Sequence, residues 1–276
     1  MKVAIVFLTS EPKPSTVKFA NLVQNKTDFD VVIVSDIEPS QSEPWIKISQ
    51  TVQGKKWAQT IQVDSQLCRD KGYFKSSHLP TTHIKKDVIA FDKFLYFFCL
   101  NMDYDFVWVF EEDCFIPGVE TLQNLQKKYG SNDLVTANNF KKTDRVMDWH
   151  WSHIIDKVNV PEPFYYSMSC AVGLSRAMLD TISKYVETNK KLFFLEVMLN
   201  TLAMQNSLKV CDPLELKSVV WQGLWGLDEF LLLPNNVFHP LKEIENHYLY
   251  RAQINRAQKV GAKPENNLPE FIKNLM

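Results

Sequence analysis

The sequence is poor in the features that mark several common protein classes. It has eight glycines in 276 residues, and no GxGxxG or GxxxxGK pattern follows the first predicted strand. Because those glycines let the backbone approach a phosphate closely, their absence argues against a Rossmann dehydrogenase and against a P-loop enzyme. The five cysteines show no CxxC pair and no zinc spacing, and an odd number does not suit a disulfide framework. We therefore expect a reducing compartment, the cytoplasm.

Net charge and long apolar runs are lacking as well. The chain has 31 basic and 32 acidic residues, so nothing indicates binding to nucleic acid. The first apolar run is too short for a membrane helix and lacks a small-residue cleavage site, which favours a first strand over a membrane segment or signal peptide. Instead, 45% of the residues are hydrophobic and 12% aromatic, as in a folded globular protein. Length alone does not divide such a chain, so we expect one domain over residues 1–276.

The order of the predicted elements is typical of the α/β class. Val3 to Leu8 and Phe29 to Val34 are predicted strands on either side of a helix that Ser15 can cap, which makes a β-α-β unit. Apolar residues at helical spacing predict a helix over residues 85–100, and another with Glu196 in its first turn. The pattern predicts a mixed, mostly parallel sheet flanked by helices.

Residues 106–115 hold the strongest functional signal. Five apolar, β-favouring residues are followed at once by Glu111, Glu112 and Asp113. Such a run predicts a strand buried on both faces that delivers the carboxylates to the edge of the sheet where ligands bind in open α/β folds. Clustered carboxylates repel one another unless a cation lies between them, and oxygen ligands suit Mg²⁺ or Mn²⁺. The pattern favours a divalent metal on a diphosphate; the alternative is an acidic loop that is solvated or caps the next helix.

Other residues are candidates for a nucleotide-sugar site, each with a simpler alternative. Asp36 follows the second predicted strand, where an acid can bind the ribose or base of a nucleotide or can serve only as a turn former. Lys93, on a predicted helix, can reach a phosphate or can be solvated. Trp149 and Trp151 flank a histidine in a polar loop and can form a wall for a sugar ring or belong to the core.

A first β-α-β unit that ends in Asp36, a middle strand that ends in an acid triplet, and a late His239 follow one another along the chain. In this order they resemble the GT-A class of nucleotide-sugar glycosyltransferases. Several segments are similar, in their common order, to a family of such proteins from plants, algae, oomycetes and large viruses. These segments are residues 90–96, 104–113, 193–199 and 238–242.

The resemblance implies a GT-A-like (Rossmann-like) domain with a nucleotide-binding half, about residues 1–115, and an acceptor-binding half, about residues 116–276. In that class the middle-strand motif, usually Asp-any-Asp, holds Mn²⁺ or Mg²⁺ on the donor diphosphate, and a C-terminal histidine often completes the metal shell. By position, the implied metal ligands are Glu111, Asp113 and His239. Because Glu111 stands where Asp is usual, the resemblance does not identify which of the three carboxylates binds the metal directly.

The implied reaction moves a hexosyl or pentosyl group from a UDP- or GDP-sugar to a hydroxyl of a glycan acceptor. We expect inversion, which needs a carboxylate base; a retaining enzyme, which can use the leaving phosphate as base, stays the alternative. The expected catalytic base is Glu196, because it opens a helix after an apolar segment and desolvation there raises a carboxyl pKa. The alternative is a glutamate favoured only by the helix dipole, with Asp228 and Glu229 in reserve as bases. The remaining candidates fall into a donor set and an acceptor set. The donor set is Thr9, Asp36, Lys93, Glu111 and Glu112, and the acceptor set is Trp149, Trp151 and Trp225.

Two other functions stay open at this stage. A sugar-nucleotide nucleotidyltransferase shares a doubly wound core, but it needs a glycine-rich loop after the first strand, which residues 9–14 lack. A glycan-binding module, or an inactive relative of the same fold, would keep the tryptophan-rich wall without catalysis. Release of free nucleoside diphosphate from a donor distinguishes a transferase from a binding module.

Overall fold

The structure is a computed structural model that describes most of the chain. Trp149 and Trp151 lie outside the described residues, so their predicted role stays a prediction. Within the described residues, no helix is both long enough and apolar enough to cross a membrane. The described ranges are residues 1–39, 45–48, 51–52, 55–77, 86–142 and 158–261.

An eight-stranded mixed sheet lies at the centre of the molecule. Two further strands, Thr51–Val52 and Lys55–Lys56, form a separate antiparallel pair. In chain order the strands are β1 (Val3–Thr9), β2 (Asp30–Ser35), β3 (Trp45–Ile48), β4 (Thr51–Val52), β5 (Lys55–Lys56), β6 (Gln59–Val63), β7 (Phe106–Glu111), β8 (Leu134–Lys141), β9 (Tyr165–Ser175) and β10 (Val210–Cys211). Their order across the sheet is β10-β8-β9-β7-β1-β2-β6-β3. In this sheet β3 and β9 run antiparallel to their neighbours and the other pairings are parallel. The predicted mixed, mostly parallel α/β architecture is confirmed.

The described part of the chain contains eight α-helices. They are α1 (Pro14–Lys26), α2 (Ser65–Asp70), α3 (Ala90–Leu100), α4 (Val119–Tyr129), α5 (Arg176–Asn189), α6 (Leu195–Gln205), α7 (Leu227–Leu232) and α8 (Asn246–Lys259). Successive side chains of β1 alternate between two cores, with Ala4 and Val6 in one and Ile5 and Phe7 in the other. Helices α3, α5 and α6 contribute to the first core, and α1 and α4 to the second. A sheet covered on both faces needs apolar residues at successive positions of its strands, which explains the continuous apolar runs.

Helix α3 differs from its prediction. It begins at Ala90 rather than at residue 85, which lies outside the described residues. Asp92 and Lys93 lie off the predicted apolar face, which consists of Val88, Phe91, Leu95 and Phe98. In the structure both are fully buried. Asp92 accepts hydrogen bonds from the backbone N–H groups of Ser76 (3.0 Å) and Ile89 (2.9 Å), so its carboxylate caps the helix from inside the protein. Packing on all sides of α3 has overridden the amphipathic pattern.

The start of α1 also differs from its prediction. The residue before the helix is Lys13, which makes no side-chain cap, and Pro14 occupies the first turn. A proline at this position already has the backbone dihedral that a helix needs and lacks only an N–H that would have no helical partner. Ser15 therefore lies inside the helix and does not cap it.

The segment after β7 is fixed by the C-terminal part of the chain. Phe115 and Phe238 exchange backbone hydrogen bonds of 2.8 and 3.0 Å, and the N–H of Leu241 donates to the carbonyl oxygen of Asp113 (2.8 Å). His239 lies between these two connections and is therefore held beside the end of β7. A third apolar cluster encloses this junction. It consists of Phe115, Trp225, Phe230, Phe238, Leu241 and Ile254.

Candidate active site

The acid triplet lies at the carboxyl edge of the sheet. Strand β7 is buried from Phe106 to Phe110, and Glu111 is its last residue. Because β1 and β7 are parallel, with Leu8 opposite Glu111, the ends of both strands lie at the same edge. The structure thus delivers the three carboxylates to the edge at which the sequence pattern predicted them.

Glu112 ties the end of β7 to the end of β1. Its carboxylate accepts hydrogen bonds from the hydroxyls of Thr9 and Ser10, the second at 3.2 Å. The carbonyl oxygen of Glu11 lies 2.7 Å from the same Thr9 hydroxyl and is an alternative acceptor for its one hydrogen. Thr9 and Glu112, both expected to contact the donor, are thus hydrogen-bonded to each other, and this contact stabilises the loop after β1.

Asp113 and His239 form the centre of the site. The carboxylate oxygen Oδ1 of Asp113 lies 3.4 Å from Nε2 of His239, and its Oδ2 is paired with the ammonium of Lys242. Nδ1 of His239 lies 2.8 Å from the carbonyl oxygen of Val220. Since a carbonyl can only accept, Nδ1 carries the hydrogen and Nε2 faces the acids. Burial acts to raise the pKa of Asp113, but the hydrogen bonds and charges of His239 and Lys242 outweigh it and lower that pKa to about 2.

One group of side chains in the described part of the chain has metal-ligand spacing. Ligand atoms of Glu111, Cys170 and His239 all lie within 4.8 Å of one another. Cys170 reaches this position because β9 runs antiparallel beside β7, with Ala171 opposite Phe110. The sequence analysis missed it, because no local pattern shows which strand pairs with β7.

The donor chemistry of this group fits a divalent cation. Burial, together with the charge of Asp113, raises the pKa of Glu111, a conflict between like charges that a bound cation relieves. The carboxylate oxygen suits Mn²⁺ or Mg²⁺, whereas an imidazole nitrogen suits Zn²⁺ or Fe²⁺. Burial also raises the pKa of Cys170 well above its usual range, so its thiol stays protonated and is a poor ligand. Glu111 and His239 are therefore the better placed of the expected ligands, because neutral His239 offers Nε2 to a metal, while Asp113 is already paired with the ammonium of Lys242.

Glu196 lies beside this group. Burial raises its pKa to about 7, and the charge of Glu111 adds to the shift while a hydrogen bond with Tyr166 and the charge of His239 oppose it. Helix α6 holds Glu196 in place, because the amide of Asn200 donates to the carbonyl oxygen of Tyr166 at 2.8 Å. The sequence analysis missed Tyr166, since only strand β9 brings its hydroxyl to the first turn of α6.

Asp36 has an unused hydrogen-bonding atom. Its backbone N–H donates to the carbonyl oxygen of Thr9 (3.0 Å), and its Oδ2 lies 3.9 Å from the ammonium of Lys86. The other carboxylate oxygen, Oδ1, is buried and has no hydrogen-bond partner among the described residues. Burial raises the pKa of this carboxyl. A buried acceptor without a donor is unfavourable, and a ribose hydroxyl or a base N–H would supply the missing donor.

Lys93 stabilises the loop after β2. Its ammonium is close to the carbonyl oxygens of Asp36 (3.0 Å) and Ile37 (3.4 Å) and to the carboxylate of Glu38 (2.9 Å). The alternative of a solvated lysine is wrong, because the side chain is fully buried. An ammonium has three donors, and these three oxygens account for them. Its predicted contact with a phosphate would require at least one of these bonds to break.

Trp225 is a core residue rather than part of an open wall. It is 7% exposed, its ring centre lies 5.2 Å from that of Phe238, and its Nε1–H donates to the carbonyl oxygen of His239 at 3.0 Å. The expectation that it offers a face to an acceptor sugar is therefore wrong, and what it does is position His239. The expectation failed because sequence alone does not separate a buried indole from an exposed one.

The two reserve acids lie in the first turn of α7. Glu229 accepts a hydrogen bond from the backbone N–H of Gly226 at 2.8 Å, so it caps its own helix. Asp228 is exposed, and its role as a reserve base stays a prediction.

Comparisons with known proteins leave the family open. No protein-family model matches the chain, and no curated protein matches it. Among solved structures, an active-site mutant of LgtC, a GT-A glycosyltransferase, superposes with a TM-score of 0.44 and 11% sequence identity, over 100% of both chains. A superposition as loose as this carries no argument about activity, so the geometry of the site has to carry the functional interpretation.

Proposed function

We propose that the protein is a metal-dependent glycosyltransferase of the GT-A type, which moves a sugar from a nucleoside-diphosphate donor to a hydroxyl of a glycan acceptor with inversion. The observation that carries the proposal is the contact between the middle-strand acids and the late histidine, with Asp113 Oδ1 3.4 Å from His239 Nε2. These residues are distant in sequence, and a purely structural acidic loop does not require them to meet.

Glu111 and His239, with Asp113 beside them, would hold Mn²⁺ or Mg²⁺. When bound, the metal would offset the negative charge that develops on the departing diphosphate. Lys242 adds a positive charge at the same place, and its side chain is 73% exposed, so it can contact a donor phosphate without unfolding anything. Asp36, whose Oδ1 has no hydrogen-bond partner among the described residues, is the carboxylate that we assign to the ribose or base.

Glu196 is the residue that we assign to proton transfer. Its pKa of about 7 allows it to be ionised at neutral pH and still take a proton from an acceptor hydroxyl that attacks the anomeric carbon. Tyr166 orients the carboxylate through a hydrogen bond. A carboxyl of this kind beside two further acids serves catalysis better than it serves simple glycan binding, which is why we prefer a transferase to a binding module.

Ligand-induced stabilisation tests the metal site. UDP or GDP should raise the melting temperature much more with Mn²⁺ than with EDTA, since a ligand that binds only the folded state stabilises it by mass action. Glu111→Gln, His239→Ala and Asp113→Ala should each remove the difference, whereas the matched control Glu162→Ala, at an exposed ion pair with Lys142, should keep it. Equal stabilisation in EDTA would rule out the metal.

Product formation tests the transferase itself. The full chain should release UDP or GDP from at least one member of a panel of nucleotide sugars, and release should increase when a glycoside acceptor is added. Ligand-dependent stabilisation without release from any donor would contradict transfer and favour the glycan-binding alternative.

A further inference from the structure

The segment between Val220 and Trp225 exposes two large apolar side chains next to the candidate site. Trp221 is 69% exposed and Leu224 is 92% exposed. Exposed apolar side chains that lie together often mark a binding surface, whereas isolated ones need no explanation. We call residues 221–224 the platform loop.

Both ends of the platform loop are hydrogen-bonded to His239. The backbone N–H of Val220 donates to the carbonyl oxygen of His239 (3.3 Å), and His239 Nδ1 donates to the carbonyl oxygen of Val220 (2.8 Å). At the other end, Trp225 Nε1 donates to the same His239 carbonyl oxygen (3.0 Å). The residues on either side of the platform loop are therefore hydrogen-bonded to the residue whose Nε2 faces Asp113.

The base of the platform loop is closely packed. A Cβ atom on Gly223 would lie 2.6 Å from Nε1 and 2.7 Å from Cε2 of Trp225, which is closer than real side chains approach. Only a glycine fits there, so the backbone lies directly on the buried indole ring. That ring is supported in turn by Phe238. The platform loop therefore has a rigid base that directs Trp221 and Leu224 away from the core.

The position of the platform loop corresponds to the acceptor side of the site. Val219, just before it, pairs with His239 and accepts a hydrogen bond from the amide of Asn138 near the end of β8 (3.0 Å). Asp36 follows β2, which lies on the other side of β7 from β8, so a donor bound at Asp36 would lie across the acid triplet from this loop.

The chemistry of the platform loop fits a neutral sugar. Residues 219–227 contain no charged side chain, which does not suit an acidic peptide or an anionic membrane surface. An indole face packs well against the apolar face of a pyranose ring, since it buries a large area at little cost in conformational entropy. The exposed amide of Gln222 can donate to and accept from sugar hydroxyls.

We propose that Trp221 stacks on a pyranose ring of the acceptor glycan and that Leu224 borders the same ring. The inference rests on the proposed transferase function, and it assigns acceptor recognition to an exposed tryptophan that the sequence analysis did not select. The loop acts in positioning the acceptor and takes no part in proton transfer.

The test measures donor and acceptor steps separately, with p-nitrophenyl β-glucoside, β-galactoside and α-mannoside as probes. Trp221→Ala should raise the KM for the glycoside that the wild type uses by tenfold or more, and Trp221→Phe should restore most of the loss. Mn²⁺-dependent stabilisation by UDP or GDP, and release of nucleoside diphosphate without acceptor, should not change. Leu214→Ala is the matched control, since Leu214 is an apolar side chain with 64% exposure outside the platform loop.

The outcomes separate the two proposals. If Trp221→Ala keeps the wild-type KM while donor binding and release are intact, the platform loop does not bind the acceptor and the transferase function still stands. If the wild type neither binds UDP or GDP nor releases either from a donor, the proposed function fails and the loop assignment fails with it. Binding to phosphatidylcholine vesicles that Trp221→Ala abolishes, with an unchanged glycoside KM, would make the platform loop a membrane-contacting surface instead.

Discussion

The ends of β2 and β7 each place a lysine beside acids, yet the two lysines differ in what they leave available. Lys93, at the end of β2, is fully buried, and its three donors reach oxygens of residues 36–38. Lys242, at the end of β7, is mostly exposed and is paired with Asp113. The first lysine has become part of the fold, whereas the second can exchange its partner for a ligand. Charge and position along a strand do not distinguish these roles, but burial and partners do.

Two buried carboxyls make the same point. Burial raises the pKa of both Asp92 and Glu196 to about 7. Both carboxylate oxygens of Asp92 accept hydrogen bonds from backbone N–H groups, those of Ser76 and Ile89. Its pKa is raised because helix capping holds this carboxyl inside the protein. Glu196 instead interacts with Glu111 and His239, where a proton acceptor has a use. A raised pKa therefore indicates function only together with the surrounding groups.

The largest expected effect is the loss of turnover when Glu196, the carboxyl with the proposed catalytic role, is changed. Glu196→Gln keeps the shape of the side chain and removes the proton acceptor, so turnover should fall roughly a hundredfold or more while donor binding is retained. The wild-type rate should rise with pH through about 7 as Glu196 loses its proton, and the residual rate of the variant should lack this step. Steady-state kinetics between pH 5 and 9 measures both, with exposed Glu187→Gln as the control. A variant with the wild-type rate would place the base elsewhere or indicate a retaining enzyme, which product stereochemistry would decide.

The second prediction compares Lys93 and Lys242 by their effects on stability and on nucleotide binding. Lys93→Met should lower the free energy of unfolding by about 1 to 3 kcal/mol, since it removes a fully buried ammonium that donates to the carbonyl oxygens of Asp36 and Ile37. Lys242→Met should change it less, by about 1 kcal/mol, because Lys242 is itself 73% exposed and Asp113 keeps His239 beside it. Urea denaturation measures both values. Lys242→Met should instead weaken binding of UDP or GDP, and the reverse pattern would show that the assignment of the two lysines is wrong.

A third prediction concerns Asp36 Oδ1, which has no hydrogen-bond partner among the described residues. Asp36→Ala should weaken binding of UDP or GDP by about 1 to 3 kcal/mol, if a buried hydroxyl or N–H of the nucleotide loses its acceptor. Isothermal titration calorimetry in the presence of Mn²⁺ measures the change, and exposed Asp28→Ala should leave the affinity unaltered. Unchanged affinity for Asp36→Ala would return this residue to a turn-forming role.

Local patterns in the sequence predicted the parts of the fold that depend on local chemistry. The apolar runs predicted β1, β2 and β7, and the abrupt change at Glu111 predicted an acidic edge, because strand burial and chain direction follow from nearby residues. The late His239 was identified only through the family resemblance. Its contact with Asp113 depends on backbone pairing between Phe115 and Phe238, which no local pattern encodes.

The errors have a common physical origin in tertiary packing. Lys93 was expected at a phosphate or in solvent, Trp225 on an open wall, and Asp92 off the buried face of its helix. All three are buried, because α3 is covered on every side and because Trp225 lies in the apolar cluster that encloses the end of β7. Cys170 and Tyr166 were not considered at all, since they reach the site only through the antiparallel pairing of β9 with β7.

The smallest expected effect compares the buried Trp225 with the exposed Trp221. Trp225→Phe keeps an aromatic ring against Phe238 and removes the Nε1–H that donates to the carbonyl oxygen of His239. That carbonyl still accepts from the N–H of Val220, so it does not become unsatisfied, and the loss should be only about 0.5 to 1 kcal/mol of unfolding free energy. Urea denaturation measures this loss, and the glycoside KM should stay near the wild-type value, in contrast to Trp221→Ala. A tenfold rise in KM at unchanged stability would return Trp225 to the acceptor site and remove the distinction between the two tryptophans.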